Sequence, residues 1–433
     1  MSERDWNNGR VSEGFTLENL PLGVFSSGHG GERRIGVAIG DKVLDVRACA
    51  DTGLLDSVAP EIVNACREPL LNPLMGLGRD AGRKVRRAVR GLLDPEAPAS
   101  VRDRARDLLI AAAECTMHVP AHVGDYTDFY ASVDHATNVG RLFRPDNPLL
   151  PNYKHVPIGY HGRASSIVAS GTLVRRPRGQ TMPADASEPR FGPSRAMDYE
   201  AEIGFYVAAG NMMGESIPIG DAADHIFGFC LVNDWSARDI QSWEYQPLGP
   251  FLAKNFATSL SPWVVLSDAL EPFRVPARKR GAGDPAPLSY LTDQRDQSSG
   301  AIGIVIETWL ASARMRDAGV EPVRLSAGSF ALMYWTPAQM LAHHASNGCN
   351  LLPGDLLASG TVSGPTREER GCLLELTQRG AEPVTLPTGE TRAFLEDGDE
   401  VVMRGWCRKQ GVAALSLGEC RGIVVEPGGS SSV

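Results

Sequence analysis

The sequence of 433 residues predicts a mainly β protein with some α-helix. From Leu20 onward, short runs of β-branched and other apolar residues stop at glycine, proline or charged turns, the pattern expected of strands. Only a few stretches carry apolar residues at the three- and four-residue spacing of an amphipathic helix. With 42% hydrophobic and 22% charged residues, the chain has a globular composition and is long enough for two or three domains.

A small antiparallel β unit is predicted after Leu20, where LPLGVFS, RIGVAIG and KVLDV form three short apolar runs. Two helices are predicted to follow it, one over 85–93 and a second over 100–114 that begins with a Ser-x-x-Asp capping pair. A His-Val-Pro sequence then ends the helical character. We therefore predict an N-terminal domain of residues 1–118 and a C-terminal domain of residues 119–433.

The C-terminal domain is predicted to be rich in strands. Its apolar runs end at turn residues: SSIVASGTLVRRP, EAEIGFYVAAG, FGFCLVNDWSARD, SPWVVLSDAL, GIVIETWLAS, DLLASGTVSG, GCLLELTQ and EVVMRGW. The clearest helix begins with a threonine N-cap at Thr336, followed by Pro337 and then Gln339, and closes at Gly348. Residues 277–300 are rich in glycine, proline and charge and are predicted to form a long surface loop.

The stretch from Asp125 to Arg144, DYTDFYASVDHATNVGRLFR, is predicted to be mostly helical, because its apolar residues recur at helical spacing. Asp128, Ser132 and His135 would then share the opposite face, with Asp128 and His135 two turns, about 10 Å, apart. That distance is too large for both to bind one ion. We expect Asp128 to hold a cation and His135 to transfer protons, because histidine is the residue type whose unperturbed pKa lies nearest neutrality.

Three further carboxylates are candidates for a cation site. Glu200 and Glu202 stand two residues apart at the start of an apolar strand, so they point the same way and need either water or a cation between them. A solvated face is the commoner outcome for such a pair. Asp234 ends an apolar run that looks buried, where a carboxylate needs a partner. Together with Asp128 they would make an all-oxygen site that favours Mg²⁺ or Ca²⁺.

A group of hydrogen-bond donors follows in WSARDIQSWEYQPLGPFLAKNFAT. Arg238, Gln241 and Tyr245 recur at three and four residues and share one side of a helical turn, with Lys254 and Thr258 further along. Fixed donors of this kind suit an oxyanion or a substrate carboxylate. An amphipathic surface helix with incidental charges would give the same spacing.

Two late features are also candidates for the site. The small-residue turn over 360–364, which contains Thr361, would let the backbone approach a ligand closely. Glu375 lies within an apolar run and needs a partner if it is buried.

Composition and charge exclude several function classes. The formal net charge is −9 and no stretch is strongly basic, so a nucleic-acid surface is not expected. Eight cysteines without a C-x-x-C pair argue against structural zinc and disulfides, and favour reduced thiols in the cytoplasm. We see no signal peptide, and no run reaches the ~18 apolar residues of a membrane helix. A small molecule is therefore the expected partner.

Six motifs resemble the fumarylacetoacetase family: DYTDFYASVDHATNVGRLFR, PIGYHGRASS, DYEAEIGF, NDWSARDIQSWEYQPLGPFLAKNFATSLSPW, HHASNGCNLLPGDLLASGTVSGP and FLEDGDEV. The resemblance implies an N-terminal SH3-like β-barrel domain, a C-terminal β-roll domain and a homodimer. It also implies hydrolysis of a carbon–carbon bond in 4-fumarylacetoacetate, giving fumarate and acetoacetate at the end of tyrosine and phenylalanine breakdown.

The resemblance implies a role for each candidate residue. The metal carboxylates would be Asp128, Glu200, Glu202 and Asp234, with Lys254 and Thr258 beside a second, Mg²⁺-type position. The general base would be His135, oriented by Glu375. The substrate contacts would be Tyr130, Arg144, Tyr160, Gln241, Tyr245 and Thr361. The oxyanion donors would be Arg238, Gln241 and Lys254. Bound Ca²⁺ or Mg²⁺ would stabilise the leaving enolate.

Three stretches depart from the family pattern. Asp134 stands just before His135, where we expect a neutral residue. The charged segment 366–370, a candidate lid, also differs, and residues 277–300 match nothing firmly. Two alternative functions stay open: a metal-dependent acylpyruvate hydrolase, or related isomerase or decarboxylase, that works without the His135/Glu375 pair, and a non-catalytic protein stabilised by a metal.

Overall fold

The computed structural model describes residues 13–28, 30–183 and 185–428. Most of GGSSSV at the C-terminus, predicted to be disordered, lies outside these ranges. Within them, no helix has the length and the apolar character that crossing a lipid bilayer demands.

The three apolar runs near the N-terminus form an antiparallel meander, as predicted. Its strands are β1 (Leu22–Ser27), β2 (Arg34–Ile39) and β3 (Lys42–Asp45). The helices that follow are α1 (Val46–Asp51), α2 (Pro60–Cys66), α3 (Asn72–Gly76), α4 (Arg79–Leu93) and α5 (Ala99–Arg106).

The predicted helix over 100–114 is wrong in its second half. Helix α5 ends at Arg106, and the next residues form β4 (Leu109–Ala111), which pairs with β3. Pairing of Ile110 with Val43 satisfies the backbone of both strands at the edge of the sheet. The local capping pattern could not reveal this distant partner. The predicted helix over 85–93 is confirmed and begins earlier, at Arg79.

The remaining strands and helices occupy residues 115–425. The strands are β5 (Cys115–His118), β6 (Tyr126–Phe129), β7 (Gly159–His161), β8 (Ile167–Ala169), β9 (Leu173–Arg175), β10 (Arg178–Thr181), β11 (Arg190–Pro193), β12 (Met197–Asp198), β13 (Ala201–Val207), β14 (Ile226–Asp234), β15 (Ser236–Ala237), β16 (Thr258–Leu260), β17 (Trp263–Leu266), β18 (Arg274–Val275), β19 (Ala301–Ile302), β20 (Ile304–Ala311), β21 (Val323–Ser329), β22 (Leu356–Ala358), β23 (Val384–Thr385), β24 (Thr391–Arg392), β25 (Glu400–Lys409) and β26 (Val412–Val425). The helices are α6 (Val133–Phe143), α7 (Ile219–Ala222), α8 (Arg238–Glu244), α9 (Gln294–Ser299), α10 (Ala313–Asp317), α11 (Pro337–Ala345) and α12 (Leu373–Leu376).

Two sheets organise these strands, and the prediction of a mainly β protein with some helix is confirmed. The larger sheet follows the path β4-β3-β2-β1-β17-β14-β13-β22-β6-β7. The smaller sheet has the order β21-β20-β25-β26-β9. Strand β1 joins the N-terminal meander to β17, so one sheet runs through both parts of the chain.

The apolar core under the N-terminal helices draws on both parts of the chain. Leu74 and Val85, on α3 and α4, share it with Tyr206, Phe227 and Val264 from the central strands, and all five are fully or almost fully buried. Burial of this kind is the main stabilising contribution to a fold.

The prediction that residues 125–144 are mostly helical is wrong for the first third. Asp128 lies on β6, between Ala358 of β22 and Tyr160 of β7. Helix α6 begins only at Val133, where the Ser132 hydroxyl accepts a hydrogen bond from the backbone N–H of His135 at 3.2 Å. Because the strand is paired on both sides, tertiary pairing overrides the local apolar spacing. Asp128 and His135 therefore stand on separate elements rather than on one helix face.

Two further predictions need correction. The run GCLLELTQ forms helix α12 instead of a strand, because the buried Asp198 carboxylate accepts hydrogen bonds from the N–H groups of Leu373 and Leu374 at 2.8 and 3.0 Å. The segment 277–300 contains helix α9, whose Asp296 is buried and accepts a hydrogen bond from Thr336 at 2.8 Å. The predicted capping box at Thr336 is confirmed, and α11 follows it.

Candidate active site

Four carboxylates converge on one side of the larger sheet, from the region of β14, β13 and, across β22, β6. Asp128 lies on β6, Glu200 directly before β13, Glu202 on β13, and Asp234 at the end of β14. One oxygen from each lies within 4.8 Å of one from every other. All four side chains are buried, so the solvated face considered for Glu200 and Glu202 is not what the structure has.

Several oxygens of this cluster have no hydrogen-bond partner among the described residues. They are both carboxylate oxygens of Glu202 and Oδ1 of Asp128. A buried, unpartnered carboxylate oxygen is costly, because its charge loses the solvation of water without a replacement. An all-oxygen set of this kind fits a hard divalent cation such as Mg²⁺ or Ca²⁺.

Two cations of the chain offset part of the negative charge. Lys254 Nζ lies 2.5 Å from Glu200 Oε2 and 2.8 Å from Asp234 Oδ2. Arg238 Nη1 lies 2.6 Å from Glu200 Oε1. Burial alone raises the pKa of Glu200, but Lys254 and Arg238 together outweigh it and lower the pKa below its ordinary value.

The other three carboxyl groups respond in the opposite direction. Burial, followed by the charge of Asp234, raises the pKa of Asp128 well above its ordinary value. Burial and the neighbouring carboxylates raise the pKa of Glu202 in the same way. Burial also raises the pKa of Asp234, although Lys254 partly offsets it. The cluster therefore lacks enough positive charge to ionise fully.

Sheet register explains the positions of Tyr160 and Thr258. Tyr160 pairs with Asp128 across β7 and β6, and its hydroxyl donates to Asp234 Oδ2 at 3.1 Å. Thr258 pairs with Asp234 across β16 and β14, and its hydroxyl donates to Oδ1 at 3.0 Å. Thr258, Asp234 and Lys254 also line a second opening of about 150 Å³.

Opposite the acid cluster, His135 and Glu375 form a buried pair. Nδ1 of His135 lies 2.7 Å from Glu375 Oε2, which leaves Nε2 as the ring nitrogen able to accept a proton. Tyr130 meets the imidazole edge to face, with ring centroids 5.2 Å apart. The ring is thus fixed from two sides.

Three more groups donate to the Glu375 carboxylate. Asn138 Nδ2 lies 2.8 Å from Oε1, and Ser363 Oγ and Cys372 Sγ lie 2.8 and 3.3 Å from Oε2. Burial and the charge of Glu375 raise the pKa of Cys372 well above its ordinary value, so the thiol stays protonated and donates. Burial raises the pKa of Glu375, but His135 and these donors outweigh it and lower the pKa to about 2.

A cavity of about 410 Å³ connects the acid cluster with the pair. The predicted site residues that line it are Asp128, Tyr130, His135, Arg144, Tyr160, Glu200, Arg238, Gln241, Tyr245, Lys254 and Thr361. The predicted residues outside its lining are Glu202, Asp234, Thr258 and Glu375, which stand behind residues that do line it.

Polar atoms on the wall of the cavity have no partner among the described residues. They are Nη2 of Arg238, Nε of Arg144 and Oγ1 of Thr361. Arg238 is fixed by Asp198, which lies 2.8 Å from its Nε, and by Gln241, 3.1 Å from its Nη1. Buried donors that are held in place but unpaired are suited to an anionic ligand.

The backbone of the small-residue turn over 360–364 lies close to that of β6. Gly360 has φ of +75°, and a Cβ there would stand 2.2 Å from the carbonyl oxygen of Phe129. Only glycine fits such a position. The turn therefore lies directly beside the strand that carries Asp128.

Several residues of the site could not be predicted from the sequence. Asp198 fixes Arg238 and caps α12, yet its only sequence signal is its place in the DYEAE motif. Asn138 lies one helical turn after His135, a spacing that could have suggested a shared partner. Ser363 and Cys372 carry no local signal, because their partner Glu375 is identified only in three dimensions.

Comparisons with known proteins agree over nearly the whole chain. A family model described as Fumarylacetoacetase N-terminal matches residues 18–120, and one described as Fumarylacetoacetate (FAA) hydrolase C-terminal matches residues 125–425. A fumarylacetoacetase of Homo sapiens is 48% identical over 417 residues, and one of Arabidopsis thaliana is 46% identical over 415. Both alignments cover 95% of this chain and 96% of the relative.

Among solved structures, a fumarylacetoacetate hydrolase from psychrophilic Exiguobacterium antarcticum is similar in fold. The superposition has a TM-score of 0.50 and covers 94% of this chain and 99% of that one. Sequence identity is 16%, so this likeness concerns the fold alone.

Proposed function

The chain belongs to the fumarylacetoacetase family, and we propose that it hydrolyses a carbon–carbon bond of 4-fumarylacetoacetate to give fumarate and acetoacetate. This is the last step of tyrosine and phenylalanine breakdown. The observation that carries the proposal is a buried His135–Glu375 pair facing a buried four-carboxylate cluster across one cavity. Neither group alone would specify this reaction.

In the proposed mechanism, His135 is the general base. Its Nδ1–H donates to Glu375, so Nε2 takes a proton from water as the oxygen adds to the ketone carbon. Arg238 and Gln241 stand where they can stabilise the resulting alkoxide, and the free Nη2 of Arg238 supports this role. The carbon–carbon bond then breaks, its electron pair goes to the acetoacetate carbon, and the proton held by His135 is returned to that carbon.

The proposed metal ligands are Asp128, Glu200, Glu202 and Asp234, with Lys254 and Thr258 beside a second position. A bound divalent cation would supply Lewis-acid stabilisation of the carbanion that leaves. The unpartnered oxygens of Asp128 and Glu202 support this assignment, and oxygen ligands favour Mg²⁺ or Ca²⁺. Lys254 already contacts two of the acids, so we assign it first to charge balance and second to the oxyanion.

The proposed substrate contacts are Tyr130, Arg144, Tyr160, Gln241, Tyr245 and Thr361. The unpartnered Nε of Arg144 and Oγ1 of Thr361 support binding of the substrate's carboxylate and keto oxygens. The lining also includes apolar side chains such as Phe143 and Leu248, which suit the carbon chain.

Further proposals rest on the family. We propose a homodimer in the cytoplasm, an SH3-like barrel within residues 1–118 and a β-roll within residues 119–433. The scattered free cysteines, all unpaired in the described residues, support a reducing compartment.

The function can be tested with purified protein, fumarylacetoacetate and quantification of both products. We expect His135→Ala to lower kcat by at least the ~10²–10⁴-fold typical of general acid–base assistance. The matched control is His155→Ala, because His155 is exposed and lies outside the cavity lining. Turnover of His135→Ala within a few-fold of the parent would contradict the assignment.

The same assay distinguishes the proposed function from that of an acylpyruvate hydrolase. An acylpyruvate hydrolase of related chemistry would cleave acylpyruvates faster than fumarylacetoacetate and would tolerate loss of Glu375. We expect this chain to cleave fumarylacetoacetate faster than acylpyruvates and to lose activity when Glu375 is replaced. Glu375 is fully buried, and four side chains hold it: His135, Asn138, Ser363 and Cys372.

A further inference from the structure

Two arginines of the 277–300 segment reach toward the helix and the rings that surround His135. These are Arg278 and Arg280, which flank Lys279. Arg278 Nη1 lies 2.5 Å from Asp134 Oδ2 and donates to the carbonyl oxygen of Leu332 at 2.8 Å. Asp134 is in the first turn of α6, one residue before His135.

Arg280 contacts two aromatic rings. Its guanidinium carbon lies 4.3 Å from the ring centroid of Tyr334 and 4.5 Å from that of Trp335. Nη1 also donates to the Tyr334 hydroxyl at 2.6 Å and to the carbonyl oxygen of Lys154 at 3.0 Å. The two rings stand nearly perpendicular to each other, with centroids 5.3 Å apart, and the guanidinium contacts both. These contacts and the hydrogen bonds hold the rings in one arrangement.

From Tyr334, a row of ring contacts leads to the imidazole. Ring centroids are 6.3 Å apart for Tyr334 and Tyr153, 5.9 Å for Tyr153 and Tyr130, and 5.2 Å for Tyr130 and His135. The Tyr153 hydroxyl donates to the carbonyl oxygen of Tyr130 at 2.8 Å. Each spacing is within the range of favourable aromatic pairs. Displacement of Tyr334 would therefore reach the ring that packs against the base.

We propose that Arg278 and Arg280 are positioning residues for the hydrolysis, a role that rests on the proposed function of His135. Arg278 neutralises Asp134 and holds the start of α6, while Arg280 holds the aromatic row that ends at the imidazole. The pairing also accounts for the acidic residue at position 134, where the family pattern led us to expect a neutral one.

The charge part of the proposal has a defined direction. Without Arg278, Asp134 would be an uncompensated carboxylate beside His135 and would favour its protonated form. The other titratable or charged groups around the imidazole are Glu375 and Cys372 from α12, Tyr130 after β6, Glu200 before β13 and Arg238 on α8. None of these is changed by substitutions at Arg278 or Asp134.

The first experiment compares Arg278→Met, Asp134→Asn and the double variant, using the pH profile of kcat. We expect the acidic limb of Arg278→Met to move up by about half a pH unit, because one unpaired charge is added near the base. The double variant should return to the parent midpoint, since the carboxylate is gone as well. Equal midpoints for Arg278→Met and the parent would overturn the charge role.

The second experiment compares Arg280→Met with Lys279→Met, a matched control because Lys279 is exposed and its side chain forms no hydrogen bond or ion pair within the described residues. We expect Arg280→Met to lower kcat about tenfold with KM within twofold, and Lys279→Met to match the parent. Arg280→Lys should recover only part of kcat, because an ammonium lacks the planar face and the several donors with which the guanidinium contacts both rings. An unchanged kcat in Arg280→Met would overturn the positioning role.

Thermal melting of each variant shows whether it is folded under assay conditions. If Arg278→Met does not fold, Arg278→Gln takes its place, since a glutamine also removes the charge and should raise the midpoint in the same way; an unchanged midpoint would again overturn the charge role. Failure of the proposed function is distinguishable: a parent protein that does not cleave fumarylacetoacetate refutes that function, whereas an active parent with unaltered variants refutes only the positioning role.

Discussion

At the scale of single residues, the Glu375 carboxylate is held by more donors than a simple partner of an imidazole needs. His135 and Ser363 share Oε2 with Cys372, while Asn138 alone serves Oε1. The carboxylate therefore stays ionised and fixed in a fully buried place, which in turn fixes the tautomer of His135.

The donor on Oε1 gives a specific prediction. Asn138→Leu should lower kcat by about 10–100-fold, because a buried charge that loses a hydrogen bond costs about 1.5–3 kcal/mol. KM should change little, since Asn138 is not part of the cavity lining. Steady-state kinetics provide the measurement, and Arg141→Ala, an exposed position on the same helix, is the control. A kcat equal to that of the parent would show that the hydrogen bond from Asn138 to Glu375 does not contribute to catalysis.

The acid cluster gives a prediction about pH and metal. In the ion-free protein the pKa values of Asp128, Glu202 and Asp234 are raised, first by burial and then by neighbouring carboxylates. A carboxyl with a raised folded-state pKa contributes its stability below the unfolded value, about 4, and loses it as pH rises through the folded value. The chelated protein should therefore become less stable as pH rises above about 5.

Glu200 and Glu375 have lowered pKa values and act in the opposite sense, but their contribution is already complete above about pH 5. Added Mg²⁺ or Ca²⁺ should then raise the melting temperature more at pH 8 than at pH 5. Melting curves in EDTA and in excess cation across this range test the prediction. Glu202→Gln should flatten the pH dependence. If the melting temperature in EDTA rises with pH over this range, the prediction that the chelated protein loses stability is wrong.

At the scale of elements, the close packing of the turn over 360–364 against β6 fixes the distance between Thr361 on the turn and Asp128 on the strand. Gly360→Ala would place a Cβ 2.2 Å from the carbonyl oxygen of Phe129 and would also strain φ of +75°. We expect a loss of more than about 1 kcal/mol in unfolding free energy and a weaker affinity for the cation, because β6 carries Asp128. Urea denaturation and cation titration measure the two effects. Gly389→Ala, which also has positive φ but no neighbour within 4 Å, is the control that separates strain from collision.

Elements also show where prediction from the sequence worked. The meander after Leu20, the helix at Thr336 and the strand ending at Asp234 carry strong local patterns, and all three are confirmed. Residues 126–129 and GCLLELTQ were assigned wrongly because partners distant in sequence decide their structure: β22 and β7 for the first and Asp198 for the second. Local spacing contains no information about such partners.

For the candidate site, the sequence predicted which residues belong to it but not how they are arranged in space. Long motifs identified its residues through family resemblance, whereas spacing alone could not show that Asp128 and Glu200 approach each other. The positioning contacts of Asn138, Ser363 and Asp198 needed coordinates, since each depends on a side chain far away in the sequence.

At the scale of the whole molecule, one sheet and one apolar core join residues on both sides of position 118. Strand β1 pairs with β17, and Leu74 shares a core with Phe227. The two parts should therefore unfold in a single cooperative transition. Leu74→Ala should lower the free energy of unfolding by about 2–5 kcal/mol, as expected for a buried leucine, with KM unchanged.

Circular dichroism and tryptophan fluorescence in urea provide two independent probes of this transition. If the circular dichroism and fluorescence curves coincide within the parent, and again within Leu74→Ala, the two parts form one cooperative unit. Separate midpoints for the two probes would show that the parts unfold independently.

The shared core also determines how inherited or engineered changes in the N-terminal helices would appear. Such a change leaves every group around the substrate in place, so each surviving molecule works at the normal rate. What falls is the number of molecules, because a less stable chain spends more time open to proteases. In cell extracts, remote lesions of this kind should present as low enzyme quantity with ordinary specific activity, and ligands that favour the native state should restore the quantity.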